Sequence, residues 1–168
     1  MRLPIIIGIG LLMSLGLNAP VMSQLNPQVE PLPAIADSDL LEQFRLYSMN
    51  RRLWNQQRIR NYRYTLSNSC FCIPEARGPV IIEVRNGMTV SITSKETGQP
   101  VNPEFFQQYD TIPRLFNVIR NAIARRADNL DVKYDSKLGY PTQINIDYSF
   151  QIADEEVFLT IENLEVLP

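Results

Sequence analysis

Asn86-Gly87 constrains this chain more than any other pair of residues in it. Before it, Val80, Ile82 and Val84 alternate with Ile81, Glu83 and Arg85; after it, Met88, Val90 and Ile92 resume the alternation. Asparagine and glycine tolerate the two left-handed positions of a type I′ turn, whose twist matches the strands it joins. Residues 79–93 are therefore expected to form a β-hairpin. An antiparallel sheet with one apolar face needs a cover on that face. The search for the rest of the fold is a search for the other strands and for that cover.

Alternation recurs at Tyr62, Tyr64 and Leu66, at Leu130, Val132 and Tyr134, at Ile144, Ile146, Tyr148 and Phe150, and at Val157, Leu159 and Ile161, with Leu164 and Val166 closing the chain. Two segments have a helical period instead. The first spans residues 38–59, where Leu40, Leu41, Phe44, Tyr47, Arg51 and Trp54 form a stripe and Asp37 or Ser38 can cap. The second spans residues 111–126. Thr111 is a good cap, Pro113 falls in the first turn, and Ile112, Leu115, Phe116, Ile119, Ala122 and Ile123 share a face. Arg125 and Arg126 suit the negative end of the helix dipole. Asn102-Pro103 opens a short helical turn, and Gly139-Tyr140-Pro141 a bend. The order α-β-β-β-α-β-β-β reads as an architectural repeat. It predicts an α+β fold of two layers: an antiparallel sheet of about six strands, covered on one face by two helices.

The first 37 residues belong to neither layer. Arg2 is the only basic residue before Arg45, and residues 3–17 carry no charge. A basic start, a short apolar run and a small residue at a plausible cut site describe a secretory signal peptide. Cleavage is expected after Ser23, in preference to Ala19, which Pro20 follows. The apolar run is shorter than the roughly 20 residues of a membrane span, so a retained anchor is the weaker alternative. Residues 24–37 hold three prolines and no period, and read as an extended linker. Residues 38–168 are then the single domain. The expected location is outside the cytoplasm, periplasmic or extracellular, with no membrane span in the mature chain.

Composition removes several chemistries. With no histidine among 168 residues, Ser-His-Asp and Cys-His catalysis, histidine zinc sites and histidine pH switches are excluded. Two cysteines cannot build a four-thiolate site within one chain. Acidic and basic residues number 18 and 16, a net charge of −2, and with the export signal this argues against a nucleic-acid partner.

Several short patterns occur in a fixed order: Tyr62-Arg63-Tyr64, Cys70-Phe71-Cys72, Pro79 with the Asn86-Gly87 hairpin, the run from Thr111 to Phe116, Tyr134-Asp135, Gly139-Tyr140-Pro141 and Ile146-Asp147. In this order they resemble an uncharacterised family of exported bacterial proteins, the domain of unknown function numbered sixty-one seventy-four. The likeness covers residues 54–164. It implies export and a small α+β domain, and it carries no activity, substrate or catalytic residue.

Four groups of residues are candidates for function. Cys70 and Cys72 would pair in an oxidising compartment. On a straight strand their Cα atoms would stand about 6.5–7 Å apart, at the limit of disulfide reach, so a bulge or turn is needed. The pair is expected to be structural, pinning a strand end. The alternative is a redox dithiol or a soft-metal site for an ion such as Cu(I), with Met88 as a third ligand. The acidic residues Asp131, Asp135, Asp147, Asp154, Glu155 and Glu156 could hold Ca²⁺ or act in glycoside hydrolysis. The EF-hand spacing is absent and a solvated turn is the simpler reading. Arg45, Arg51, Arg52, Arg58, Arg60 and Arg63, with Trp54 and Tyr62 nearby, could meet an anionic polymer or lipid headgroups; a solvated helix face accounts for them as well. Among the tyrosines, Tyr62, Tyr64 and Tyr148 are expected in the core and Tyr140 at the surface. No catalytic residue, metal ligand or cofactor is assigned. The expected function is a non-catalytic binding or envelope-support module for an envelope partner or small ligand, with Tyr140, Asp147, Asp154 and Glu155 as a ligand surface. The alternative is an envelope thiol-redox or soft-metal protein using Cys70 and Cys72.

Overall fold

The computed structural model describes residues 37–70, 72–151 and 156–168. The expected signal segment and almost all of the linker lie outside them. Within Leu32–Pro168, which forms one unit, the elements are α1 (Asp37–Gln57), β1 (Tyr62–Asn68), β2 (Val80–Arg85), β3 (Met88–Ser94), α2 (Ile112–Arg125), β4 (Asn129–Tyr134), β5 (Pro141–Asp147) and β6 (Glu156–Val166). Single 3-10 turns occur at Pro74–Ala76 and Pro103–Phe105. The α+β class and the order of helices and strands are those expected from the sequence.

The sheet is antiparallel throughout, in the order β3-β2-β1-β6-β5-β4. Two meanders thus meet where β1 pairs with β6. The repeat holds in sequence but not in space. Corresponding strands of the two halves are β1 and β4, yet β1 is central and β4 is an edge. Asp131 and Lys133 are exposed on that edge strand, the sort of charge that discourages pairing with another chain.

One face of the sheet is buried. Tyr62, Tyr64 and Leu66 of β1 join Val80, Ile82 and Val84 of β2, Leu130 and Val132 of β4, Ile144 and Ile146 of β5, and Leu159 and Ile161 of β6. From α2 come Ile112, Leu115, Phe116, Ile119 and Ala122, five of the six apolar residues expected there; Ile123 packs at the margin. Thr111 Oγ1 accepts from the Arg114 amide at 3.2 Å, the N-cap its type predicts.

Three expectations about faces fail, each for a local reason. In β3, Glu83 pairs with Ser91 but Val84 pairs with Thr89, so Val90 is the extra residue of a β-bulge. The bulge reverses the alternation, and Val90 is 57% exposed while Thr89 takes the inward side. In α1 the buried stripe is Tyr47, Asn50 and Trp54. Leu41 and Phe44 turn outward, 69% and 53% exposed. Asn50 is tolerated inside because its side-chain amide donates to the Leu46 carbonyl at 2.8 Å. The third concerns Tyr140, described below. In β6 a bulge with Asn163 at φ 54° carries the alternation from Leu159 and Ile161 to Leu164 and Val166.

Aromatic rings tie α1 to the sheet and to α2. Trp54 meets Tyr62 edge-on at 5.4 Å and Tyr140 at 6.3 Å. Tyr47 meets Phe116 at 6.0 Å, and Phe116 stacks on Tyr134 at 6.3 Å. Gly139 makes the close approach possible. A Cβ there would stand 2.6 Å from the Asn50 carbonyl, and its φ of +79° already favours glycine.

Candidate functional site

The two ends of the sheet differ in what they hold. At one end the motif residues of β1 fasten the start of α2. The Tyr62 hydroxyl accepts from the Ile112 amide at 3.0 Å, and the Tyr64 hydroxyl donates to the Tyr109 carbonyl at 2.6 Å. Thr89 donates to the Asp110 carbonyl at 2.8 Å, and the nearly buried Asp110 carboxylate pairs with Arg114 at 2.7 Å. Burial pushes the Tyr62 phenol up to about 12, outweighing the Ile112 amide, which favours the phenolate. Burial also raises Tyr64, with smaller contributions from its neighbours. These groups have their partners and face the core. They hold a helix in place; they are not a reactive centre.

The opposite end is open. β1 stops at Asn68, and the chain turns through the cysteine pair and the 3-10 turn before entering β2. Cys70 and Cys72 form a disulfide with Cα atoms 5.2 Å apart, closer than a straight strand would place them, because the segment bends. The loop is shut by its backbone. The Asn68 amide donates to the Arg77 carbonyl at 2.7 Å, and the Ser69 amide to the Phe158 carbonyl at 2.9 Å. The Arg77 guanidinium donates to the Cys72 carbonyl at 3.0 Å. Gly78 is required here. A Cβ would stand 2.7 Å from the Leu66 carbonyl, at a φ of +79°.

Between this loop and β6 lies a cleft of about 760 Å³. Ser67, Asn68 and Ser69 supply hydroxyls and an amide, Arg77 a positive charge, Glu156 a negative one, and Phe158 an apolar surface; both cysteines line it. Phe158 is exposed because it alternates with the buried Leu159. Glu156 is the single carboxylate among the described lining residues. General acid–base hydrolysis by a carboxylate pair needs two.

The expected ligand surface does not assemble as a set. Tyr140 is 8% exposed, packed against Trp54, and burial raises its phenol, with the Asp135 charge adding to the effect. It was expected at the surface because glycine and proline flank it; those residues instead fold it inward against α1. Asp147 is at the other end of β5, where its Oδ1 accepts from the Ser149 amide at 3.0 Å as a turn cap. It lies opposite Glu156 of β6. Asp154 and Glu155 lie outside the described residues. Met88 cannot join the cysteines as a metal ligand: it starts β3 beside Arg85, and the length of β1, roughly 20 Å at 3.3 Å per residue, separates the two ends. Among the described residues no three of Cys, Asp or Glu gather as a metal site. Tyr62 and Tyr64 are buried as expected, and Tyr148 is half-buried beneath the Arg125 guanidinium, 4.1 Å from its ring.

Ser67, Ser69, Arg77 and Phe158 were not singled out from the sequence. Their one visible signal is adjacency: Arg77-Gly78-Pro79 follows closely on the cysteines, and Phe158 is a large apolar residue at a strand position that alternation assigns to the open face.

The profile of the family of unknown function DUF6174 matches residues 46–166, so the chain belongs to that family. Comparison with curated proteins and with solved structures finds no match. Most of the patterns that carried the resemblance prove to be structural. Tyr62 and Tyr64 hold the start of α2, Asp135 accepts from the Lys137 and Leu138 amides, and Gly139 admits α1. Among the described residues of these patterns, the cysteine pair and Pro79 alone line the open cleft.

Proposed function

We propose that this member of the DUF6174 family is an exported, non-catalytic binding module that takes a small polar ligand or a peptide segment in the cleft beside Cys70 and Cys72. The observation that carries the reading is the cleft itself. Its volume is that of a small-molecule site, and hydroxyl, amide and guanidinium groups converge there around one aromatic ring. Export rests on the basic and apolar start of the chain. The disulfide serves as the rim of the site, holding the bend that follows β1.

A thermal-shift screen with short peptides and oligosaccharides tests this. One class is expected to raise the melting temperature saturably, and Arg77→Ala with Phe158→Ala should abolish the rise while leaving the unliganded protein folded. A rise that survives both substitutions, or none across the panel, contradicts the reading.

A second reading has one specific support: both cysteines line the cleft and are only half-buried. A dithiol partner would reduce Cys70–Cys72 to two thiols and itself become the disulfide. Thiol titration at a glutathione poise separates the two. A pair that stays oxidised supports the structural role, and a pair that opens supports exchange.

A further inference from the structure

Charge is segregated along this chain. Residues 43–74 contain six arginines and no acidic residue, so this stretch is +6 while the rest of a chain of net −2 is −8. Three of the six arginines have partners elsewhere. Arg45 pairs with Glu42, Arg63 with Glu165, and Arg60 donates to the Asn86 carbonyl. The other three, Arg51, Arg52 and Arg58, have no carboxylate partner among the described residues, and together they line one shallow cleft of about 610 Å³ on the outward side of α1. Arg51 is held by Tyr47, donating to its hydroxyl with its guanidinium 5.7 Å from the ring centre. Ser48 and Asn55 add polar groups to the same cleft. Arg58 occupies a left-handed position, φ 53°, just past the helix end, a conformation that asparagine and glycine adopt more easily.

A second depression on α1 is continuous with the first, sharing Ser48 and Arg52, and is lined by Phe44 and Met49. Both side chains are more than half exposed, as is Leu41 one turn away. Guanidinium groups beside exposed apolar side chains match a molecule with an anionic head and an apolar body.

We infer that the outward face of α1 docks on an anionic phospholipid surface, with Arg51, Arg52 and Arg58 meeting phosphate groups and Leu41, Phe44 and Met49 entering the headgroup boundary. Bidentate guanidinium–phosphate pairing and burial of the apolar side chains act together in such a contact. The site is separate from the cysteine cleft, so either can fail without the other.

The test uses the chain from Gln24. Every buried core residue among those described lies between Tyr47 and Ile161, so this chain keeps the whole core and leaves out the apolar start, which would bind lipid of any charge. Co-sedimentation is measured with vesicles of equal phosphatidylglycerol and phosphatidylcholine, and with phosphatidylcholine alone. Binding is expected to the first only, and to weaken at 0.5 M salt. Arg52→Glu with Arg58→Glu should reduce it at least tenfold, and Phe44→Ser with Met49→Ser should do the same, each with an unchanged circular dichroism spectrum. Calorimetry with inorganic phosphate provides the other arm. Equal binding to both vesicles, binding to neither, or binding unaltered in either variant overturns the proposal. So does saturable binding of free phosphate that the Phe44 and Met49 substitutions leave intact, which would make the cleft a soluble-anion site.

Discussion

The two helices occupy equivalent places in the chain, each preceding three strands, and they are used differently. α2 turns its apolar residues into the core, is capped by Thr111, and is fastened by two tyrosine hydroxyls from β1, one on its first amide and one on the segment that leads into it. α1 buries Tyr47, Asn50 and Trp54 and leaves Leu41, Phe44 and Met49 in water beside arginines that have no carboxylate partner among the described residues. Apolar residues on a helix are therefore not equivalent evidence of a core. On α2 they record packing. On α1 part of the apolar content is surplus to folding, and surplus apolar surface beside concentrated charge marks a contact surface.

The comparison sharpens first at Trp54, the residue through which α1 reaches the sheet. It is buried against Tyr62 and Tyr140, and Trp54→Ala should cost about 3–5 kcal/mol of unfolding free energy in urea. A loss below about 1 kcal/mol would mean that α1 is peripheral on both faces, and the contrast drawn between its sides would break.

The fastening of α2 is expected to respond to alkali. Tyr62 ionises near pH 10 in the unfolded chain and near 12 in the folded one, so the folded state keeps a proton that the unfolded state releases. Stability from this group is fully present below pH 10, falls above it, and is lost as pH passes 12. That difference corresponds to roughly 3 kcal/mol. Urea midpoints should hold from pH 9 to 10 and fall steadily from pH 10 to 11.5, with tyrosinate absorbance appearing as the protein unfolds. A constant midpoint over that range would show that the hydroxyls are not buried against α2.

The sequence was most legible where pattern and burial coincide. The hairpin at Asn86-Gly87, the face of α2 and the alternation of β1, β2, β5 and β6 all follow from periodicity, because each strand has one covered side. What periodicity could not reveal was a single inserted residue. Val90 shifts the alternation of β3 through a bulge, and no residue type announces that shift. Tyr140 was misplaced because glycine and proline signal a bend without saying which way it folds. The stripe on α1 was assigned by counting apolar residues, so Phe44 was put inside and Asn50 overlooked. The cysteine cleft was half legible: the pair stood out with the serines beside it, but Arg77 is brought back by the closing of its loop and Phe158 by the β1–β6 pairing of the first strand with the last.

One pair of variants puts the contrast between the helices to its most direct trial. Phe116→Ala and Phe44→Ala remove the same ring, one from α2 and one from α1, and their urea unfolding curves can be measured side by side. The buried ring should cost about 3–5 kcal/mol, and the exposed one no more than about 0.5 kcal/mol. Comparable losses at the two positions would mean that Phe44 belongs to the core after all, and that α1 has no face to spare.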